Sequence, residues 1–319
     1  MAGSGEIDVS LLDRLLRADG PILIHDLGEL KRVAAALQVL RDRGCILDEH
    51  PQRGVRLVRT DLACWADYIE HRHSRGLGRR VSVYRETTST QDVARQVVAA
   101  QGSAAIGEVI VADAQTAGRG RMGRRWFAPA GGGLLLTAIV SLEGSGPERL
   151  TLGSCCALAD VVEAASEATA RIRWPNDVLI DGAKVGGILV ESVGGLGLIG
   201  IGLNVRLDPG DLPEHDGDIP LQATSLDDHG GVLDRLALLD RLLDRLEFCL
   251  EQATDQELHD AWRERSCLMQ QRVTVLSAGR ELRGRVIDLD PRHGLMLEVD
   301  QGTVTVLPAA TTSLLDASK

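Results

Sequence analysis

No Cys-x-x-Cys pair occurs in this chain. Its six cysteines, Cys45, Cys64, Cys155, Cys156, Cys249 and Cys267, follow no regular spacing, which removes the usual structural-zinc and dithiol signatures. Without an export signal they read as buried or free thiols of a reducing compartment. His71 and His73, two apart in a polar stretch, read as a solvated linker rather than a ligand pair. The opening MAGSGEIDVS lacks the basic and apolar regions of a signal peptide, and no apolar run approaches the length of a membrane span. The expected location is cytoplasmic, with no membrane partner. Positive charge is short as well: 35 Lys and Arg against 46 Asp and Glu give a formal net charge of -11, which argues against a surface that holds nucleic acid by bulk electrostatics. A Walker loop is excluded because no Gly-Lys-Ser/Thr ending is present.

What is present is ordinary for a soluble globular protein, with 44% hydrophobic and 25% charged residues. At 319 residues there is room for two or three domains and a substantial core. One stretch stands out. Gln115 to Trp126 reads QTAGRGRMGRRW, led in by the strand-like run Glu108 to Ala112. Gly118, Gly120 and Gly123 alternate with Arg119, Arg121, Arg124 and Arg125. Glycine lets the backbone approach a ligand closely, and each guanidinium offers a planar fork matched to phosphate or carboxylate oxygens. The alternative is a solvated basic turn; four arginines interleaved with glycine in an acidic chain favour a loop that closes over an anion. The stretch also satisfies G-x-G-x-x-G, but no helix follows it. Trp126 to Pro129, Gly131 to Gly133 and the apolar run Leu134 to Val140 are loop and strand signals instead, so a dinucleotide fingerprint fails its context.

Read in order, Leu11, Leu12, Leu15 and Leu16 give a helix stopped at Gly20-Pro21, Asp26 to Arg43 a second helix ended by Gly44, and Cys45 to Leu47 with Gly54 to Val58 a short hairpin. That order suggests a winged helix-turn-helix. Space is tight between Pro21 and Lys31 for a separate first helix and turn, and the recognition face is mostly Ala, Val and Leu. A degenerate module used for packing, rather than for DNA binding, is therefore expected. Thr60 to His73 reads as a helix, Ser74 to Arg80 as a flexible connection, and Val81 to Glu86 as a strand. Thr87 to Asp92 then gathers four hydroxyls and an amide before the apolar-periodic Val93 to Ala100, more than one helix cap requires, and the excess can face a polar ligand head.

Arg149 to Ala170 reads as a helix. In Arg171 to Glu191 a hairpin turns at Asp181-Gly182, with Trp174 to Asp177 interrupting its first strand and Pro175 implying an edge or a bulge. Lys184 opens the second strand, and Gly186-Gly187 would let a ligand lie flat on the backbone. Leu196 to Val205 is a further strand, Asp208 to Pro220 a mobile loop, Val232 to Leu250 an amphipathic helix, and Asp255 to Arg265 another helix. Val273 to Leu276, Leu282 to Leu289, Leu295 to Val299 and Thr303 to Leu307 are short strands that suggest a small barrel.

Ser89-Thr90-Gln91, Gly118 to Arg124, Arg173 to Asp177 and Lys184 to Leu189, in this order, resemble the biotin-protein ligase family in its bifunctional form. Met122 stands where that family usually has another Arg, and Gln91 where Asn is common. The resemblance implies an α+β protein: a winged-helix module over 1–62, a mixed-sheet catalytic domain over 63–267 and an SH3-like barrel over 268–319. It implies that biotin and ATP, with Mg²⁺, form biotinyl-5'-AMP, and that a lysine of a biotin carboxyl carrier protein then takes the biotinyl group. By resemblance the biotin site comprises Ser89, Thr90, Gln91, Gln115, Gly118, Arg119, Gly120, Arg121, Lys184 and Gly187. The nucleotide site comprises Arg119, Arg121, Arg124, Trp126, Asn176, Asp177 and Asn204. Lys184, Arg119 and Arg121 act in catalysis, and no residues are assigned to the metal. A homodimer is compatible with the resemblance. Two alternatives share these features: a lipoate-type ligase of the same fold, and a biotin-responsive DNA-binding repressor in which ligation is secondary.

Overall fold

The computed structural model describes residues 5–208, 222–231, 234–299 and 302–318. The first helix, α1 (Val9–Leu16), is capped by Asp8, whose carboxylate accepts from the Leu11 N–H at 3.1 Å, and it buries Leu11, Leu12 and Leu15. The single helix expected over Asp26 to Arg43 is two: α2 (Ile24–Leu27) and α3 (Leu30–Asp42), parted by Gly28 at φ 140°. A four-residue helix needs only one turn, so the short interval after Pro21 accommodates it. The hairpin follows as β1 (Ile46–His50) and β2 (Gly54–Arg59), and Ile22 pairs with Val55 through two 2.8 Å backbone bonds. Gly54 is at φ 92°, and a Cβ there would enter the Ile22 backbone.

A short 3₁₀ turn, Leu62–Cys64, leads into α4 (Trp65–Arg72). The segment 74–80 is packed rather than a flexible connection: Leu77 is buried and the Gly78 N–H donates to the Gly107 carbonyl at 2.9 Å. His73 is likewise buried, not solvated, with Nε2 2.9 Å from the Asp240 carboxylate. Arg17, from α1, and Arg72 reach the same carboxylate, and the Tyr68 hydroxyl donates to Asp13 at 2.7 Å. Burial pushes Asp240 up, but hydrogen bonds from His73 and Arg72 outweigh it and leave the carboxyl below its ordinary range. These polar joints sit within a single apolar cluster that runs from Leu12 through Trp65 and Leu239 to Val275.

The central sheet has seven strands: β3 (Arg80–Thr87), β4 (Glu108–Gln115), β5 (Gly133–Ser141), β6 (Arg171–Arg173), β7 (Asp177–Ile180), β8 (Ala183–Val193) and β9 (Leu196–Asn204). Their order is β3-β4-β5-β9-β8-β7-β6, with only the β3–β4 pair parallel. The parallel pair needs a crossover, supplied by α5 (Thr90–Gln101). Trp174 to Asn176 forms the turn of a β6–β7 hairpin, so Pro175 lies between strands rather than at a bulge. The Trp174–Pro175 bond is cis.

Helix α6 (Pro147–Ala165) ends before the expected Ala170. Helix α7 (Arg235–Glu247) buries Leu236, Leu239, Leu243 and Leu246 fully, each worth roughly 1.5–3 kcal/mol of transfer free energy. Residues 232 and 233, expected at its start, and the expected loop beyond Asp208 lie outside the described residues. Helix α8 (Asp255–Arg265) begins in a capping box between Thr254 and Glu257.

The C-terminal antiparallel sheet is β10 (Arg272–Ser277), β11 (Arg280–Asp290), β12 (Gly294–Glu298), β13 (Val304–Leu307) and β14 (Thr312–Ser318), ordered β13-β12-β11-β10-β14. The strand β14 has adjacent Leu314 and Leu315 in place of an alternating pattern, which conceals it in the sequence. This sheet is tied to the rest by His259 Nε2, 2.6 Å from Asp288, and by the Ala309 N–H, which donates to Glu148 at 2.8 Å. Among the described residues no helix is long and apolar enough to cross a membrane.

Candidate functional site

Strand alternation puts Gly187 on one face of the central sheet and Gly186 on the other. A Cβ at Gly186 would press on Leu158 at 2.9 Å, in the core; at Gly187 it would meet Lys184 Nζ at 3.1 Å and the Trp126 ring at 3.3 Å. Gly202, paired with Gly187 across β8 and β9, extends this side-chain-free floor. A Cβ at Gly202 would collide with the Trp126 indole, so the two glycines let that ring lie directly on the sheet. Leu135, Leu136, Ile188, Leu189 and Ile201 complete an apolar stretch in a cleft of ≈ 130 Å³.

At one end stands the N-terminus of α5. Ser89 caps it, accepting from the Gln91 N–H at 3.3 Å, and Ser89, Thr90 and Gln91 are all buried. The Gln115 side-chain carbonyl accepts from the Thr90 N–H at 2.8 Å, while the Thr137 hydroxyl donates to the Thr90 hydroxyl at 2.8 Å. Gln91 spends its amide N–H on the Leu189 carbonyl at 2.9 Å; its Oε1 is buried without a hydrogen-bond partner among the described residues. A buried acceptor of this kind is costly unless something donates to it.

The other end is cationic. The glycine-arginine loop folds back on itself: the Gly120 N–H donates to the Arg124 carbonyl at 2.8 Å, and the Trp126 N–H to the Gly118 carbonyl at 3.0 Å. Gly118 has no room for a side chain, since a Cβ would strike the Trp126 carbonyl. Arg119 lies 2.7 Å from the Asp92 carboxylate, yet its Nε and Nη2 are not aligned for a hydrogen bond to it; the contact is one of charge, and those N–H groups stay available. Arg121 crosses to the C-terminal sheet, donating to the Thr312 carbonyl at 2.8 Å, to the Ala309 carbonyl and, at 3.5 Å, to Asn176. Burial lowers its pKa against the pull of Asp177, though a guanidinium remains charged at neutral pH. Lys184 is ion-paired with Asp177 and sits 5.2 Å from the centroid of Trp126. The arrangement suits a ligand with a polar head, an apolar middle and an anionic end.

A family model described as the biotin/lipoate A/B protein ligase family matches residues 83–208. The biotin--[acetyl-CoA-carboxylase] ligase of Mycobacterium tuberculosis is 36% identical over 239 residues, covering 72% of this chain and 86% of that protein. This chain belongs to the biotin-protein ligases. The bifunctional ligase/repressor BirA of Salmonella typhimurium is 30% identical, over 83% of this chain and 82% of its own length. Among solved structures, a biotin protein ligase from Aquifex aeolicus in complex with biotin and ATP superposes with a TM-score of 0.61 at 25% identity, over 75% of this chain and 99% of that one.

Of the residues singled out in this ligase from sequence, Ser89, Thr90, Gln91, Gln115, Arg119, Gly120, Arg121, Arg124, Trp126, Asn176, Asp177, Lys184 and Gly187 all line the one cleft. Gly118 and Asn204 do not. Asn204 is buried on β9, donating to the Lys184 carbonyl at 3.3 Å and the Thr224 carbonyl at 3.0 Å, and so holds the start of β8 in place. Asn176 has a similar second task, donating to the Ile188 carbonyl at 2.7 Å.

Three participants escaped the sequence reading. In the sequence Asp92 reads only as part of the helix-cap cluster. Gly202 carried a signal in its alternation with Gly200 along β9. Ser313 lines the cleft from the C-terminal sheet and accompanies Met122, which is at φ 54°; only tertiary structure brings it there.

Proposed function

We propose that this ligase condenses biotin with ATP in the β5–β8–β9 cleft and then passes the biotinyl group to a lysine of a carboxylase carrier protein. The single observation that carries the residue assignments is the polarity of that cleft, with a buried acceptor that has no partner among the described residues at one end, and Arg119, Arg121, Arg124, Arg125 and Lys184 contributing positive charge to the rest of its lining. Biotin matches it: a ureido head that donates and accepts hydrogen bonds, a flat apolar body, and a valerate tail ending in a carboxylate. In this reading Gln91 Oε1 and the Ser89 and Thr90 hydroxyls meet the ureido group, with Gln115 behind them. The apolar body lies along Leu135, Leu136, Ile188, Leu189 and Ile201, and Trp126, seated on Gly187 and Gly202, walls the tail.

The reaction is ATP-dependent. A biotin carboxylate oxygen attacks the α-phosphorus of ATP, pyrophosphate leaves, and a mixed anhydride results; the carrier amine then attacks the acyl carbon and AMP leaves. Both steps gather negative oxygens, so the contribution of the protein is position and fixed positive charge. Lys184 is placed for the carboxylate and α-phosphate, and Arg119 and Arg121 for the phosphate chain, with Arg124, Asn176 and Asp177 at its margin. Arg121 and Lys184 would exchange their present carbonyl and carboxylate partners for ligand oxygens. Asp177 would hold the Mg²⁺ that comes with ATP, which would supply charge neutralisation at the phosphates. Asp177, the one carboxylate among the described residues lining the cleft, suits the usual arrangement of one or two carboxylates plus phosphate oxygens. The carrier of acetyl-CoA carboxylase is the expected acceptor. The expected partition is a winged-helix module over 1–62, a catalytic domain over 63–267 and an SH3-like barrel over 268–319.

Full-length protein given Mg-ATP and biotin accumulates bound biotinyl-adenylate before any carrier is added, as mass spectrometry of the denatured complex reports. Added carrier domain then gains label from labelled biotin, and unlabelled biotin competes while lipoate does not. Intact biotin binding with no adenylate formed would remove the enzymatic reading.

The N-terminal module serves packing rather than operator binding. Residues 1–62 hold nine Lys and Arg against ten Asp and Glu, and on and beside α3, Arg32 pairs with Asp8 and Arg41 with Glu49. A gel-shift titration at physiological salt, with biotin and ATP and the DNA upstream of its own reading frame, should show no specific complex. Binding near 10⁻⁸ M or tighter, typical of specific complexes, contradicts the packing role.

A further inference from the structure

Cys45 and Cys64 lie 19 positions apart, yet their Sγ atoms are 3.5 Å from each other in a buried setting. Cys45 joins α3 to β1, and Cys64 closes the 3₁₀ turn that opens α4. The junction between them is already pinned by Thr60, whose N–H and hydroxyl both donate to Asp234 at 2.7 Å, and by the Trp65 indole N–H, which donates to the Thr60 hydroxyl at 3.1 Å. We propose that Cys45 and Cys64 form a peroxide-responsive dithiol, whose disulfide ties the N-terminal hairpin to the helix that enters the catalytic domain.

A disulfide sulfur pair stands about 2.05 Å apart, so closure asks for an approach of about 1.5 Å, within the reach of side-chain rotation. The two thiols differ in a useful way. Either sulfur can donate to the other across 3.5 Å; in the arrangement where the Cys64 S–H donates, that bond lowers the Cys45 pKa against burial and raises Cys64. Cys45 is thus the better nucleophile and Cys64 the resolving thiol. The Cys45 thiolate attacks one oxygen of hydrogen peroxide, the O–O bond breaks and hydroxide leaves, giving a sulfenic acid. Cys64 Sγ then attacks Cys45 Sγ; the S–O bond breaks, and the departing oxygen takes the Cys64 proton as water. Two thiols and one peroxide become one disulfide and two waters.

The remaining cysteines do not share this geometry. Cys155 and Cys156 are sequence neighbours on α6, but their thiols point apart, to the Pro175 and Leu258 carbonyls. Cys267 is exposed, and serves as the internal competitor for oxidant.

The test treats the full chain with a small excess of hydrogen peroxide, blocks free thiols, then denatures and maps the peptides. The expected product is a peptide pair linked through Cys45 and Cys64, reversed by dithiothreitol, with Cys155, Cys156 and Cys249 recovered reduced. Amide exchange in Ile46–His50 slows by about tenfold or more in the oxidised form, since closing the loop suppresses local opening. Cys64→Ser leaves adenylate formation unchanged and diverts Cys45 to a sulfenic acid that dimedone traps. Recovery of both Cys45 and Cys64 as free thiols while Cys267 is oxidised overturns the proposal, and this wild-type map decides the matter even where a serine variant fails to fold.

Discussion

Lys184→Ala lowers the single-turnover rate of biotinyl-adenylate formation by roughly 10²-fold or more, while ATP affinity falls much less; this is the size of effect seen for removal of one preorganised oxyanion donor. The reason lies in where the ammonium is held. It is paired with Asp177 and set beside the Trp126 ring, above the glycine floor, at the end of the cleft where Arg119 and Arg121 also gather. In the proposed reaction two anions, carboxylate and α-phosphate, meet there. The repulsion between them is greatest as the new bond forms, so a cation between them stabilises the transition state more than either bound reactant. Lys184→Arg recovers only part of the rate, because a planar fork does not substitute for a compact ammonium at a crowded position. If Lys184 were only a solvent-facing hairpin residue, both variants would adenylate at the wild-type rate, and rapid-quench measurement on folded protein distinguishes the cases.

The second large effect is expected at Gly202. No positive φ is required there, so a side chain costs little in backbone conformation; what it lacks is space, because the Trp126 indole occupies the position of its Cβ. Gly202→Ala weakens biotin binding by about tenfold and Gly202→Val by about a hundredfold or more. These figures follow from the 1–3 kcal/mol usual for overpacking, at 1.4 kcal/mol per factor of ten. Calorimetric titration of biotin into each variant measures the loss, and a small change in unfolding temperature confirms that the sheet survives. A Gly202→Val protein that binds biotin as the wild type does would show that neither the ring nor the ligand rests on this strand. Gly186 provides the contrast, since its missing side chain faces Leu158 and its substitution should harm stability before affinity.

The glycine-arginine loop, the hydroxyl cluster and Lys184 were legible before any coordinates because each is a local departure from what its element needs: more arginine than a turn requires, more hydroxyls than a cap requires, a double glycine in a strand. Asn204 shows the limit of that reasoning. The resemblance alone assigns it to the nucleotide site, and no local pattern shows that its amide donates to the Lys184 and Thr224 carbonyls, which hold the start of β8 in place. His73 misled in the opposite direction, because the Asp240 carboxylate that receives it comes from 167 positions away.

By itself the sequence determined the order of most elements, the basic and glycine-rich character of the loop at Gly118 to Arg125 and the family, since periodicity, turn chemistry and motif spacing are written in neighbouring residues. The break at Gly28, the packing of residues 74–80 and the strand β14 were decided by tertiary structure, as backbone groups found partners far along the chain. So was the composition of the cleft. The Gln91 amide finds the Leu189 carbonyl of β8 and leaves its Oε1 without a partner among the described residues, Trp126 lies on two glycines that β8 and β9 bring side by side, and Arg121 reaches the C-terminal sheet only through the fold. Contacts between residues a hundred or more positions apart depend on the packing of whole sheets and helices, and no local pattern encodes where such a partner will stand.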